Sequence, residues 1–91
     1  MIKQHLKIYI SGHVQGVFFR VSTQKKAHRF GITGWVRNCA DGRVEIDASG
    51  EQTDMEKFIN WCHQGPDSAH VSQVSTQTLP DAIASPHFKI H

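Results

Sequence analysis

At 91 residues the chain has the length of one domain, and a chain this short buries only about 60–65% of the surface its unfolded form exposes. That excludes a deep enclosed active-site cavity and favours a shallow site built on loops. The net charge of +2, from ten Lys and Arg against eight Asp and Glu, suits small anions but lacks the dense cationic patch of a nucleic-acid binder.

The N-terminal stretch Met1-Ile2-Lys3-Gln4-His5 holds no apolar signal region, and no run has the length needed to cross a membrane. The expectation is therefore a cytoplasmic protein with no membrane partner. Cys39 and Cys62 stand far apart and form no Cys-x-x-Cys pair. They read as free thiols, and neither a zinc site nor a redox motif has support.

Leu6, Ile8 and Ile10 alternate with Lys7, Tyr9 and Ser11, which predicts a strand over residues 6–11 with one buried face. Residues 12–20 follow, Gly-His-Val-Gln-Gly-Val-Phe-Phe-Arg. Beyond them a helix is predicted over residues 21–30. Phe19, Thr23, Ala27 and Phe30 make a narrow packing stripe on it, and Gly31 stops it. Residues 12–20 thus form a strand-to-helix turn, where backbone N–H groups are still unpaired and the helix dipole adds positive charge. Gly12 and Gly16 permit the left-handed angles that curl successive amides around an anion. Arg20 adds a planar fork of donors that fits a phosphate. Taken together these residues read as an oxyanion cradle for a phosphoryl group. Taken singly, the glycines also read as turn residues and Arg20 as a solvated helix residue.

A second strand is predicted over residues 32–38, with Trp35 and Val36 on opposite faces. Cys39-Ala40-Asp41-Gly42 supplies a hairpin turn. In the third strand, residues 43–49, Val44, Ile46 and Ala48 face inward and Arg43, Glu45 and Asp47 outward. Ser49-Gly50-Glu51 reads as another turn, and Thr53 with Glu56 as a capping box. Met55, Phe58, Ile59 and Cys62 recur at helical spacing until Gly65-Pro66 ends the second helix. Residues 69–78 are the fourth strand, in which Val71 and Val74 break strict alternation, as a bulge would make them. A loop over residues 79–86 and a short strand at Phe88 and Ile90 complete the chain. The order βαββαβ with a short terminal strand is an α+β, ferredoxin-like sandwich: an antiparallel sheet with two helices on one face.

In that topology the ends of the first and second strands can approach, which brings Asn38 towards residues 12–20. An amide both donates to and accepts from a water molecule, although Asn38 also reads as an ordinary turn residue. The only two histidines at His-x-x-x-His spacing, His87 and His91, flank the short final strand and share no helical face; the seven histidines are read as scattered surface residues, so no metal site is expected.

Residues 12–20 fit the pattern Gly-x-Val-Gln-Gly-Val-x-Phe-Arg, which resembles the signature of the acylphosphatase family. Gly34-Trp35-Val36-Arg37-Asn38, followed by Asp41-Gly42-x-Val44-Glu45, is similar to that family's second signature at the expected distance. The resemblance spans essentially the whole chain and implies a single acylphosphatase-like domain over residues 1–91. It also implies an acylphosphatase activity: metal-free hydrolysis of the carboxyl-phosphate bond of acyl phosphates to a carboxylate and inorganic phosphate. By the resemblance, Arg20 corresponds to the catalytic arginine that binds the phosphoryl group, and Asn38 to the asparagine that orients the attacking water. The amides of Gln15, Gly16, Val17, Phe18, Phe19 and Arg20 correspond to the substrate-binding cradle. No cofactor and no metal are implied. The partner is a small-molecule acyl phosphate, with inorganic phosphate or sulfate as a competing anion, and the chain is expected to act as a monomer. His13 stands where family members often carry arginine. The last residues also depart from the family pattern, which is expected to affect the final strand and not the site.

Two rival functions belong to other classes. An RNA-binding module would use exposed aromatics such as Tyr9 and Trp35, but the mixed charges of Arg43, Glu45 and Asp47 speak against it, and no nucleic-acid partner is expected. A phosphate sensor without turnover would not need both Arg20 and Asn38.

Overall fold

Val44, Ile46 and Ala48 are fully buried, and the strand that carries them occupies the centre of the sheet. The computed structural model describes residues 2–80 and 86–91. Its elements are β1 (Lys3–His13), α1 (Phe19–Arg29), β2 (Thr33–Asn38), β3 (Val44–Glu51), α2 (Gln52–Gln64), β4 (His70–Thr78) and β5 (Phe88–Ile90). The strands lie in the order β4-β1-β3-β2-β5. Leu6, Ile8 and Ile10 of β1, Val36 of β2 and Phe88 of β5 join the β3 residues on one face. There they meet Phe19 and Ala27 of α1 and Met55, Phe58 and Cys62 of α2 in one core. Alternating apolar residues on the strands and a stripe on each helix thus account for two helices covering one face. Burial pushes the Cys62 thiol up, away from the reactive thiolate form.

Four strands pair antiparallel as expected, but β5 runs parallel to β2, so the sheet is mixed. The direction follows from the path. β4 pairs antiparallel with β1 and therefore runs opposite to β2; one further reversal to the far edge aligns β5 with β2. Most of the loop expected over residues 79–86 lies outside the described residues.

Several boundaries differ from the sequence reading, chiefly because pairing extends past the apolar alternation; Gly12 and His13, read as the start of the turn, belong to β1 and pair with β4. β1 begins at Lys3, since Lys3 and Gln4 pair with Glu51 and Gly50. For the same reason Ser49, Gly50 and Glu51 belong to β3 and do not form a turn. α2 then starts directly at Gln52, with Glu51 as its N-cap and no side-chain cap. Thr53 is already inside the helix, so the expected capping box does not form; the Gln52 N–H is satisfied instead by the Ile2 carbonyl at 2.8 Å.

The irregularity of β4 is a bulge. Ser11 pairs with Gln73 but Gly12 pairs with Val71, leaving Ser72 unopposed. Gly12 sits there at φ +127°, where an added Cβ would lie 2.1 Å from the His70 carbonyl oxygen. The bulge bends the end of β1 and sets the direction in which the following loop departs.

The other face of the sheet carries a buried charge network. Glu45 and Asp47 point away from the helices as expected, yet are only 3% and 8% exposed. Glu45 accepts hydrogen bonds from Tyr9 Oη at 2.8 Å and from Arg37 Nε, and Lys7 Nζ lies 3.2 Å from it. His5 Nε2 pairs with Asp47 Oδ1 at 2.8 Å. The Lys7 ammonium lies 4.8 Å from the Trp35 ring centre and the Arg43 guanidinium 4.3 Å from that of Tyr9, so a cation covers each aromatic that an RNA-binding sheet would use for stacking.

Burial pushes the Glu45 carboxyl up, but the hydrogen bonds from Tyr9, Arg37 and Lys7 outweigh it and hold the group below the usual carboxylate range. A depressed folded-state value stabilises the fold above the ordinary carboxylate range and loses that contribution as pH falls through the folded value. Glu45→Gln is therefore expected to lower the unfolding free energy by about 1–3 kcal/mol at neutral pH. The gap to wild type should close in acid. Denaturant titrations of both proteins at neutral and acid pH measure it; a gap that stays constant would refute the role of the Glu45 charge.

Candidate active site

Past His13 the chain leaves β1 and crosses to α1 in a loop pinned at several points. Val14 is 1% exposed, and Val17 is also buried in the core. The Gln15 side chain reaches the β2–β3 hairpin, where Nε2 donates to the carbonyls of Cys39 at 2.8 Å and Arg43 at 2.9 Å. Ser68 Oγ donates to the Val17 carbonyl at 3.0 Å. Gly16, at φ +75°, and Phe18, at φ +63°, turn the backbone through the left-handed region. Phe18 is the one non-glycine residue with positive φ among those described. For a residue with a bulky side chain that conformation costs on the order of 1–2 kcal/mol.

Phe18 is also the N-cap of α1, and it caps with no side-chain hydrogen bond; the first turn contains no acidic residue. The first amides of a helix have no intrahelical acceptor and carry the positive end of its dipole. α1 therefore begins with uncapped N–H groups at Phe19 and Arg20, two residues before the predicted start of the helix at residue 21.

Arg20 leaves this first turn half-buried. Its Nη1 donates to the backbone carbonyl of His91 at 2.9 Å, and the His91 N–H donates to the Val36 carbonyl at 2.8 Å. The end of the chain therefore reaches the guanidinium, contrary to the expectation that the last residues bear only on the final strand. Asn38 closes β2 opposite Val44, and its Oδ1 is buried without a hydrogen-bond partner among the described residues.

These elements converge. A cavity of about 230 Å³ is lined by Val14, Gly16, Phe18, Phe19, Arg20, Val21 and Asn38. Asn38 and the loop after β1, far apart in sequence, share its walls. Gln15 and Val17 of the expected cradle do not line it: the first ties the loop to the hairpin and the second anchors it in the core. His13 is exposed and pairs across the sheet with His70, outside the cavity. The sequence reading gave Gln15 a role through its backbone N–H alone. It also missed the backbone angle of Phe18 and the His91 contact of Arg20; no local pattern signals them, since each depends on segments distant in the chain. Chemically, the cavity offers helix-terminal amides and a guanidinium for an anion, and beside them an unsatisfied acceptor fit to hold a water molecule.

The profile of the acylphosphatase family matches residues 6–90. An acylphosphatase from Marinobacter nauticus is 52% identical over 73 residues, covering 80% of this chain and 79% of that protein. The structure of an acylphosphatase from Coxiella burnetii superposes with a TM-score of 0.92 at 36% identity, covering 98% of this chain and 93% of the other. That of an acylphosphatase from Bacillus subtilis gives 0.93 at 31% identity, covering 99% of both. Sequence and fold agree along nearly the whole length, both signature blocks included, and the chain belongs to the acylphosphatase family.

Proposed function

We propose that this enzyme hydrolyses the carboxyl-phosphate bond without a metal, with Arg20 binding the phosphoryl group and Asn38 orienting the attacking water. The observation that carries the reading is the convergence of Gly16, Phe18, Phe19, Arg20 and Asn38 on one cavity, together with the buried Oδ1 of Asn38, which has no hydrogen-bond partner among the described residues. The uncapped amides at the start of α1 and the Arg20 guanidinium supply the positive charge that a phosphoryl group in transfer requires. Asn38 Oδ1 accepts a hydrogen bond from water and turns its lone pair to phosphorus.

The water oxygen then bonds to phosphorus as the bond from phosphorus to the carboxyl oxygen breaks. The leaving carboxylate departs as a stable anion and needs no general acid. The proton released by the water goes to a phosphoryl oxygen, so the products are a carboxylate and inorganic phosphate, and no protein base is consumed. The charge that a metal would neutralise is met by the guanidinium and the amides, which is the support for a metal-free reaction.

The test is hydrolysis of benzoyl phosphate by the purified protein with and without EDTA. Equal turnover in both, inhibited competitively by inorganic phosphate or sulfate, is the expected result. Turnover lost in EDTA and restored by a divalent cation would overturn the metal-free reading.

A further inference from the structure

We propose that the side chains of Phe18 and Val21 form a platform for the acyl part of the substrate and select apolar acyl groups over small or polar ones. This rests on the phosphoryl-binding role given above to the same cavity. The cavity walls divide by chemistry. Gly16, Arg20 and Asn38 are its polar part and are taken up by the phosphoryl group and the water. Of the four apolar residues that remain, Val14 and Phe19 are 1% and 2% exposed, so their side chains are already spent in the core. Phe18 and Val21 are 78% and 44% exposed and offer the apolar surface that a ligand has yet to cover.

Neither belongs to the buried stripe of α1, which is Phe19, Thr23 and Ala27, so packing does not explain an apolar residue at either position. Phe18 is the stronger case. It holds an unfavourable left-handed angle, and with its ring in solvent no core contact offsets that cost. A strained residue at the edge of a functional cavity is most simply explained by what the strain presents: here, a ring held at the edge of the cavity in which the phosphoryl group binds. An acyl phosphate seated by its phosphoryl end projects its acyl group outwards, and an alkyl or aryl group can lie against Phe18 and Val21. An acetyl or carbamoyl group is too small to cover them.

The measurement is an aliphatic series of acetyl, butyryl and hexanoyl phosphate, whose leaving carboxylates have similar basicity. In the wild type, KM should fall by about twofold for each added methylene, the partial burial expected on an open edge, with kcat nearly constant. Phe18→Asn, which tolerates the left-handed angle, should then cut the ratio of kcat/KM for hexanoyl over acetyl phosphate by about tenfold, and Val21→Thr by about threefold. Two results would overturn the inference: a wild-type KM independent of chain length, or variants that slow every substrate by the same factor, which would mean that the residues act on the cradle alone. The wild-type series decides the matter even if a variant fails to fold. Failure of the underlying reading looks different, since it would leave the wild type inactive on the whole series, and the inference would fall with it.

Discussion

Arg20→Ala is expected to abolish turnover of benzoyl phosphate and, with it, competition by inorganic phosphate. The guanidinium stands on the first turn of α1, beside the uncapped amides, and lines the cavity. One of its N–H groups is committed to the His91 carbonyl; that contact fixes the orientation of the plane and leaves other donors of the fork for an anion. Because the proposed phosphoryl contact is made in both the bound and the reacting state, its loss should affect affinity and rate together. An arginine that stabilises phosphoryl transfer is worth on the order of 10³–10⁵ in kcat, and the lower end of that range suits a site where amides share the charge. Arg20→Lys keeps the charge without the fork and should recover only a small part of the rate. Folding is checked by thermal unfolding, in which the loss of one partly exposed hydrogen bond should cost no more than about 1 kcal/mol. A folded Arg20→Ala protein still inhibited by phosphate as strongly as wild type would refute the role.

The parts of this site legible in the sequence were those set by local chemistry. The alternation of Leu6, Ile8 and Ile10 and of Val44, Ile46 and Ala48 gave the two central strands, and the break between Val71 and Val74 gave the bulge, because both follow from the two-residue period of a strand. The turn from β1 to α1 was legible because glycines between a strand and a helix mark a turn; taken singly they and Arg20 had ordinary readings, and it was the family resemblance that favoured an anion cradle. The ends of elements were not legible. Lys3, Gln4, Gly50 and Glu51 are strand residues only because they pair with one another, and that pairing then displaced the N-cap of the second helix from Thr53 to Glu51. The burial of Glu45 was hidden for a related reason: its surroundings come from Lys7, Tyr9 and Arg37 on the neighbouring strands, and a strand's own alternation says only which face a side chain takes. At the site, the family resemblance paired Arg20 with Asn38, but bringing them to one cavity took the antiparallel order of β1, β3 and β2. The chain end at His91 meets Arg20 because β5 lies parallel on the free edge of β2, which the periodicity of a three-residue strand could not specify.

Asn38→Ala should separate binding from catalysis. The proposed water contact matters when the nucleophile is placed, so the variant should keep its inhibition by inorganic phosphate, with kcat reduced on the order of 10²-fold or more, the cost of removing one positioned polar group from such a site. KM should change little. Stability gives an independent check. The Asn38 Oδ1 is buried with no partner among the described residues. Truncation therefore breaks no hydrogen bond of this oxygen to those residues, so the melting temperature of Asn38→Ala should stay close to that of wild type even as activity collapses. A residue kept only to begin the β2–β3 turn would behave in reverse, losing stability on truncation while sparing the rate. Asn38→Asp sharpens the contrast. It keeps an acceptor at the same place but sets a negative charge facing the phosphoryl group, so it should weaken phosphate inhibition where alanine does not. Full activity in Asn38→Ala would remove the water-orienting role altogether, whereas a slow and fully stable variant is the outcome that only a functional acceptor explains.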